Sequence, residues 1–204
     1  MMGISTAAAS TWSLSAQQEL ERRLGTVGYK DTTRGFLFGT ALEVVKGQAS
    51  REAYQRCVEA AGAGSFTAFF SYPVSTLLKL SYAAARTLAP YHGGFENAMQ
   101  YLGFRAAPRF LESTTGRMLM SLVGKDPTRL IDSMPTAYKT AWDHGGCALK
   151  WLGPRAGRLS YTNALPHPYF AGSMQQVLSS AKLRGTVVGR QVSLTECTVE
   201  FAWE

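Results

Sequence analysis

The stretches Cys147-Ala148-Leu149-Lys150-Trp151 and Cys197-Thr198-Val199-Glu200-Phe201-Ala202-Trp203 decide how this chain folds. In both, large apolar residues occupy every second position, which is the period of a β-strand with one buried face. Turn residues at 153–157 precede another strand-like run at 158–162, and Gly185 ends the helical stretch that follows. Residues 147–203 therefore predict two β-hairpins separated by one helix, in the order ββαββ.

The residues before this segment predict helices that cover the buried face of the sheet. Ser50 is a good N-cap for a helix from Arg51 to Ala61, and Tyr72-Pro73 opens the strongest apolar stripe. A long segment from Phe95 to Ser113 follows, and its Gly103 and Pro108 are expected to bend or interrupt it. Shorter helices are predicted at 116–123, 128–133 and 136–142, while the apolar run 36–45 fits either a buried helix or a strand followed by a turn. The expected fold class is α/β (α+β), with a helical N-terminal half packed on a four-stranded antiparallel sheet.

Length and composition favour one domain. A chain of 204 residues with 46% hydrophobic and 17% charged residues suits a single well-buried α/β domain, which we assign to residues 31–204. Residues 1–30 are expected to form a mobile extension with a short helix from Ser15 to Leu24. The three cysteines are widely spaced, which argues against a disulfide framework or a zinc finger and fits the cytoplasm. No sustained apolar run is long enough for a membrane span.

The net charge of +7 does not concentrate in one segment. Two small basic clusters stand out, one formed by Lys150, Arg155 and Arg158 and the other by Lys182, Arg184 and Arg190. Phosphate binding requires a local basic face, so we interpret the charge as a solvated surface and expect no nucleic-acid partner.

Several short motifs resemble an uncharacterised, largely myxobacterial family, the domain of unknown function 2378. They follow one another in order over residues 34–203. The matching motifs are Arg34-Gly35-Phe36-Leu37-Phe38, Tyr72-Pro73-Val74, Leu102-Gly103-Phe104-Arg105, Gly116-Arg117-Met118-Leu119, Met134-Pro135, Tyr169-Phe170-Ala171-Gly172 and Val199-Glu200-Phe201-Ala202-Trp203. This family brings no established activity with it.

The element order also resembles a wider superfold that includes haem nitric-oxide-binding domains, vinyl-reductase-type sensor domains and transport-particle subunits. In its haem-binding members a histidine lies on the helix before the sheet, and a Tyr-x-Ser-x-Arg run holds the propionates. Here the helix at 136–142 has no histidine, and the run 161–165 lacks both the serine and the arginine. We therefore expect no cofactor; His144, just past the helix, is the candidate axial ligand if haem is bound.

No motif indicates a catalytic or metal site. The chain has no P-loop, no Gly-x-Gly-x-x-Gly after a strand and no nucleophile elbow around Ser173. His92, His144 and His167 flank glycines or prolines at element ends, where a histidine more often bonds a terminal carbonyl or faces water than binds a metal. A cofactor-independent enzyme acting on an apolar metabolite remains an alternative, because sequence alone does not show which polar groups come together in one site.

Aromatic residues give the best site hypothesis. Hydroxyl and indole groups can orient a mostly apolar ligand between helices and sheet, although each such residue can equally fill the core. The candidate ligand-binding residues are Tyr72, Tyr82, Tyr138, Trp142, Trp151 and Tyr161. Tyr138 and Trp142 share one helix face at i, i+4 spacing, so helix 134–142 and strand 147–151 are expected to form opposite walls of a cavity. The sequence thus favours a sensor-like module for a hydrophobic small molecule, and the apolar helical half favours a homodimer.

Overall fold

The structure, a computed structural model, describes residues 16–113, 116–118, 121 and 126–204. Helical residues 16–24 (α1) come first. Thr32–Arg34 (β1), Gly35–Gln48 (α2) and Arg51–Ala61 (α3) follow, and then Ser71–Pro73 (β2), Val74–His92 (α4) and Phe95–Glu112 (α5). Pro127–Asp132 (α6) and Met134–Ala141 (α7) lead into the second half. That half consists of Gly146–Gly153 (β3), Ala156–Thr162 (β4), His167–Ser180 (α8), Gly185–Gln191 (β5) and Glu196–Trp203 (β6).

The predicted sheet and its connectivity are confirmed. β3, β4, β6 and β5 lie side by side in that order, every pair is antiparallel, and α8 connects the two hairpins. Leu159 and Val199 are opposite each other and fully buried, while their neighbours Arg158 and Glu200 are opposite each other on the outer face. One face of the sheet is therefore covered and the other is open to solvent, as the alternating sequence requires.

Helices α2, α4 and α5 form the helical half, and α8 packs between α5 and the sheet. The run 36–45, which fitted either a helix or a strand, lies in α2. Its Phe38 and Val45 are fully buried. α5 continues as one helix through Pro108, where the sequence predicted a bend or an interruption. The predicted helix at 116–123 falls largely outside the described residues.

Two glycines allow α5 and α8 to cross at very short range. A Cβ atom at Gly103 would lie 1.8 Å from the carbonyl oxygen of Tyr169, and one at Gly172 would lie 1.8 Å from the carbonyl oxygen of Gln100. Neither position tolerates a side chain without separation of the helices, so the backbones themselves are in contact. This crossing brings residues 169–177 of α8 over the ends of α2 and α5.

Helix α1 is attached to the domain, whereas the sequence had suggested a loosely held extension. Arg23 is 1% exposed, and its guanidinium donates hydrogen bonds to Ala164 O at 3.0 Å and to Leu194 O. It also pairs with Glu19, one helical turn earlier, at 2.7 Å. Because both carbonyls belong to loops next to the sheet, Arg23 fastens α1 to the second half of the chain.

A small second sheet was not anticipated. β1 and β2 pair antiparallel, and Thr33 also forms an isolated bridge with Trp142 at the end of α7. The Thr33 hydroxyl donates to Ala141 O at 2.9 Å. These contacts fix the C-terminal end of α7 against the helical half.

Within the described part of the chain, no helix combines the length and apolarity needed to cross a membrane.

Candidate functional site

A small apolar cavity lies where α2, α5, α6, α7, α8 and β4 converge. Its volume is about 100 Å³. Most lining side chains are aliphatic or aromatic, and they come from both halves of the chain. The lining residues are Phe36, Leu37, Ala106, Ala107, Phe110, Leu111, Leu130, Ser133, Met134, Ala137, Tyr138, Ala141, Trp142, Tyr161, Tyr169, Phe170, Ser173 and Val177. An occupant would therefore contact the helical half and the sheet together.

Stacked aromatic rings form the inner wall of the cavity. Tyr161 and Phe170 stack with ring centroids 4.3 Å apart, and Tyr138 and Trp142 are nearly parallel at 6.0 Å. Trp142 also contacts Phe170 at 6.4 Å. These rings join β4, α7 and α8 into one aromatic cluster.

The Tyr138 hydroxyl is held in place from three sides. It donates to His144 O at 2.7 Å, lies 3.3 Å from Thr162 O, and accepts from Asn163 Nδ2 at 2.7 Å. Burial raises the pKa of Tyr138 well above its ordinary value, although the Asn163 hydrogen bond opposes this rise. The phenol is therefore neutral at physiological pH and serves to position α7 against the turn that enters β3.

Tyr161 lies between two thiols on the covered face of the sheet, the half-buried Cys147 and the buried Cys197. It is opposite Cys147 in β3 and opposite Cys197 in β6. Burial raises the pKa of each thiol to about 12, and it also raises the pKa of Tyr161, which lies beside both. Because thiolates are the reactive form of cysteine, neither Cys147 nor Cys197 is activated as a nucleophile or as a metal ligand in this state.

The structure brings three of the six predicted site residues to the cavity. Tyr138, Trp142 and Tyr161 line it, whereas Trp151, Tyr72 and Tyr82 do not. The prediction that strand 147–151 forms one wall of the cavity is wrong. β4, rather than β3, provides the sheet side of the cavity. Whether the three cavity aromatics bind a ligand remains a prediction.

The three displaced aromatics have clear structural partners. Trp151 is opposite Gly157, at the other end of its strand from Cys147. There it packs edge-on against Trp203, with its indole N–H bonded to Asp132 at 2.8 Å. Tyr72 packs on Phe38 and Phe66 in the helical half, and its hydroxyl accepts from Thr67 N. Tyr82 is 1% exposed and packs against Phe95.

His144, the candidate axial ligand for haem, does not line the cavity. Its Nδ1 lies 3.3 Å from a carboxylate oxygen of Asp31, on the side of the small β1–β2 sheet. Gly145 next to it has φ of 67°, and a Cβ there would lie 1.6 Å from Thr162 O. The tight turn at Gly145 therefore directs the carbonyl of His144 toward Tyr138 and its imidazole toward Asp31.

Sequence reasoning missed the lining residues of the helical half and of α8. Phe36 and Phe110 approach each other at 6.2 Å between ring centroids, although they lie on different helices. Tyr169 and Phe170 also line the cavity, whereas the sequence marks them only as residues of the family motif at 169–172. Within residues 16–113, 116–118, 121 and 126–204, no group of three or more His, Cys, Asp or Glu side chains is placed to hold a metal ion.

Several solved structures that resemble this fold are H-NOX proteins. The unliganded Fe(II) H-NOX protein from K. algicida superposes with a TM-score of 0.65 at 15% identity, covering 84% of this chain and 96% of that one. An H-NOX protein from S. oneidensis in the Fe(II)NO ligation state gives 0.64 at 11% identity, covering 84% and 99%. A mutant H-NOX from T. Tengcongensis gives 0.63 at 11% identity, covering 84% and 97%.

The chain therefore has an H-NOX-like α/β fold, which confirms the topological resemblance to haem nitric-oxide-binding domains. Within that fold class, the chain belongs to the family described as "Protein of unknown function (DUF2378)", which matches residues 26–204. The family indicated by the motifs at 34–203 is thus confirmed. No curated protein sequence matches this chain significantly.

Proposed function

We propose that this chain is a sensor-like module that binds one small, mainly apolar molecule in the cavity beside Tyr138, Trp142 and Tyr161. The observation that carries the proposal is an apolar cavity of about 100 Å³ lined by side chains from both halves of the chain. Apolar cavities of roughly this size stay dry and take up small apolar molecules such as benzene or xenon. The volume limits the ligand to about one small ring.

The position of the cavity favours a regulatory role over a purely structural one. Phe36 and Phe110 belong to the helical half, while Tyr161 belongs to the sheet. A ligand that contacts both sides stabilises the arrangement in which both sides reach it, and so shifts the population toward that arrangement. The alternative is a cofactor-independent enzyme acting on an apolar metabolite, and the raised pKa values of Cys147 and Cys197 do not favour either thiol as its nucleophile.

Ligand binding can be tested with a cavity-filling variant and a matched control. Benzene titrated into the protein should change tryptophan fluorescence saturably, because Trp142 lines the cavity. Ala137→Leu fills the cavity and should abolish that change. Thr136→Leu adds a similar bulk to an exposed position on the same helix and should leave it intact. No saturable response in the unmodified protein, or an equal response in Ala137→Leu, would refute the proposal.

Haem is the second candidate ligand, because two solved structures with a similar fold concern heme, one its redox potential and the other its distortion in the H-NOX family. The cavity-lining residues that the structure describes do not fit haem. Pockets for drug-sized ligands have volumes of about 300–1,000 Å³, several times the volume here. The described lining contains no histidine or cysteine, and the Tyr138 oxygen, a possible iron ligand, keeps its proton and is already hydrogen-bonded.

Reconstitution with haem separates the two candidates. We expect no stoichiometric Soret band after removal of free haem. A sharp one-to-one band that disappears in His144→Ala would favour haem and would require His144 to leave Asp31.

A homodimer formed through the apolar helical half remains our proposal for the oligomeric state, and a cytoplasmic location our proposal for the compartment. Light scattering at high protein concentration tests the first, since a monomer there would exclude the dimer.

A further inference from the structure

Strand β5 lies at one edge of the four-stranded sheet. It pairs with β6 alone, and the register of its seven residue pairs is continuous. The opposite edge is less regular, because the register of β3 shifts between Trp151 and Gly153. Val188, in the middle of β5, is 49% exposed. A regular and exposed edge of this kind is a template on which another strand can pair.

The hydrogen bonds at the two ends of β5 show which backbone groups face the open side. Val192 N donates to Glu196 O at 2.8 Å, and Glu204 N donates to Arg184 O at 3.1 Å. Because the pairs of an antiparallel ladder alternate, the even-numbered residues 186–190 bond to β6. The N–H and C=O groups that face the open side belong to Val187, Gly189 and Gln191. No residue that the structure describes forms a backbone hydrogen bond with these outward groups.

The charges along β5 favour an acidic partner. Lys182, Arg184 and Arg190 lie in or next to this strand, and residues 180–195 contain no aspartate or glutamate. The carboxylate of Glu200, on the neighbouring strand β6, already pairs with an arginine of β4 at 2.6 Å. A second copy of this chain would bring the same positive charges to the edge, whereas a segment with carboxylates would be attracted to it.

An open groove at the start of β5 has the same preference. Its volume is about 740 Å³, and residues of α4, α5, α8 and β5 line it. The lining includes the amide side chains of Asn97, Gln100 and Gln175 and the guanidinium of Arg184, and none of its described residues carries a carboxylate. Amides and guanidinium groups donate hydrogen bonds to carboxylates. A peptide that extends past this end of β5 therefore meets a second set of donors.

We propose that the open edge of β5 binds an extended, acidic segment of a partner protein, which pairs with β5 as a further strand of the sheet. Main-chain hydrogen bonds to Val187, Gly189 and Gln191 hold the segment, and Arg190 selects a carboxylate opposite it. No residue of β5 lines the apolar cavity, so the inference does not depend on the proposed ligand.

A synthetic peptide tests the inference through the hydrogen exchange of single amide protons, measured by NMR. The peptide has seven residues, with aspartate at its second and sixth positions, threonine at the fourth and valine elsewhere, so that one aspartate lies opposite Arg190 in either direction. Exchange at Val187, Gly189 and Gln191 should slow as the peptide is added. Exchange at Val188 should not change, because its N–H already bonds to β6. N-methylation of the three central peptide residues removes their donors and should abolish the effect.

Titration of the same peptide tests the charge selection. The aspartate peptide should bind about 5-fold or more tightly than a peptide with lysine in place of aspartate. Arg190→Gln should weaken binding of the aspartate peptide about 2- to 5-fold. Arg51→Gln is the matched control, because it removes the same charge from an exposed position of α3, and it should leave the affinity unchanged.

Three outcomes would overturn the inference. The first is unchanged exchange at Val187, Gly189 and Gln191 at millimolar peptide, and the second is equal affinity of the aspartate and lysine peptides. The third is slower exchange at these same amides when the protein alone is concentrated, which would assign the edge to a second copy of the chain.

Discussion

Asn163 Nδ2 donates a 2.7 Å hydrogen bond to the Tyr138 hydroxyl and so joins the loop after β4 to the cavity helix α7. Both residues are buried, at 1% and 7% exposure. The Asn163 Oδ1 accepts in turn from Leu165 N at 2.8 Å, which leaves this asparagine no freedom to rotate. The buried pair Tyr138 and Asn163 thus positions α7, the helix that forms one wall of the cavity.

Tyr138→Phe should destabilise the protein although it removes only one oxygen atom. The change leaves the Asn163 amide and the His144 carbonyl without a shared partner in a buried site, which costs about 1–3 kcal/mol. Urea unfolding measures this loss. Tyr91→Phe is the control, because Tyr91 is 60% exposed, and it should change the free energy of unfolding by less than about 0.5 kcal/mol. Equal effects of the two substitutions would contradict the account.

Gly172→Ala should be strongly destabilising, since its Cβ would lie 1.8 Å from Gln100 O and would force α5 and α8 apart. Overpacking of this kind costs about 1–3 kcal/mol or more. Gly39→Ala provides a control of opposite sign, because nothing lies within 4 Å of that Cβ and alanine favours a helix by about 1 kcal/mol over glycine. Thermal unfolding that ranks Gly172→Ala as stable as Gly39→Ala would show that the helices do not cross at Gly172.

Arg23→Ala should detach α1 from the domain. The substitution leaves the carbonyls of Ala164 and Leu194 without their donor, at a cost of about 2 kcal/mol. Amide hydrogen exchange should then become faster in residues 16–24 than in the unmodified protein. Arg22→Ala is the control, because Arg22 is exposed, and it should leave that exchange unchanged. Unchanged exchange in Arg23→Ala would mean that α1 is held by other contacts.

The raised pKa values of the Cys147 and Cys197 thiols predict a loss of stability in mild alkali. The folded chain holds the pKa of Cys147 and of Cys197 at about 12, whereas an unfolded cysteine titrates at about 8.5. Below that lower pKa both states are protonated and the stability is fully present. Above it the unfolded chain loses protons that the folded chain keeps, so the free energy of unfolding falls as pH rises.

By pH 9.5 this loss should reach about 1 kcal/mol for each thiol. Urea unfolding at pH 7.5 and pH 9.5 measures the loss, and a double variant Cys147→Ala, Cys197→Ala should lose less stability over the same interval. A fall of the same size in the double variant would assign the pH dependence to other groups.

The alternating stretches at 147–151 and 197–203 predicted the sheet, its antiparallel pairing and the covered face correctly, because period-2 burial is a local property of a strand. They did not predict the position of the cavity along that face. Trp151 and Cys147 lie on the same face of β3, yet only the Cys147 end is next to Tyr161 and the cavity.

The other features that the sequence did not predict have a different origin, because they depend on contacts between segments that are distant in the chain. Phe36 and Phe110 meet only after α2 and α5 have packed, and no local pattern marks that meeting. The three-residue strands β1 and β2 are too short to show a period. His144 illustrates the same limit. Its position just past helix 136–142 suggested an axial ligand for haem, whereas the turn at Gly145, which has a positive φ, directs the His144 side chain toward Asp31.

Structure determination under xenon pressure tests the central claim most directly. Xenon is apolar and fits a cavity of this size, and its electron density identifies where it binds. The account predicts one well-occupied xenon site enclosed by Phe36, Tyr161 and Phe170, which disappears in Ala137→Leu and persists in Thr136→Leu. Xenon bound only elsewhere, or no xenon between α7, α8 and β4, would contradict the claim that this chain contains an internal binding site.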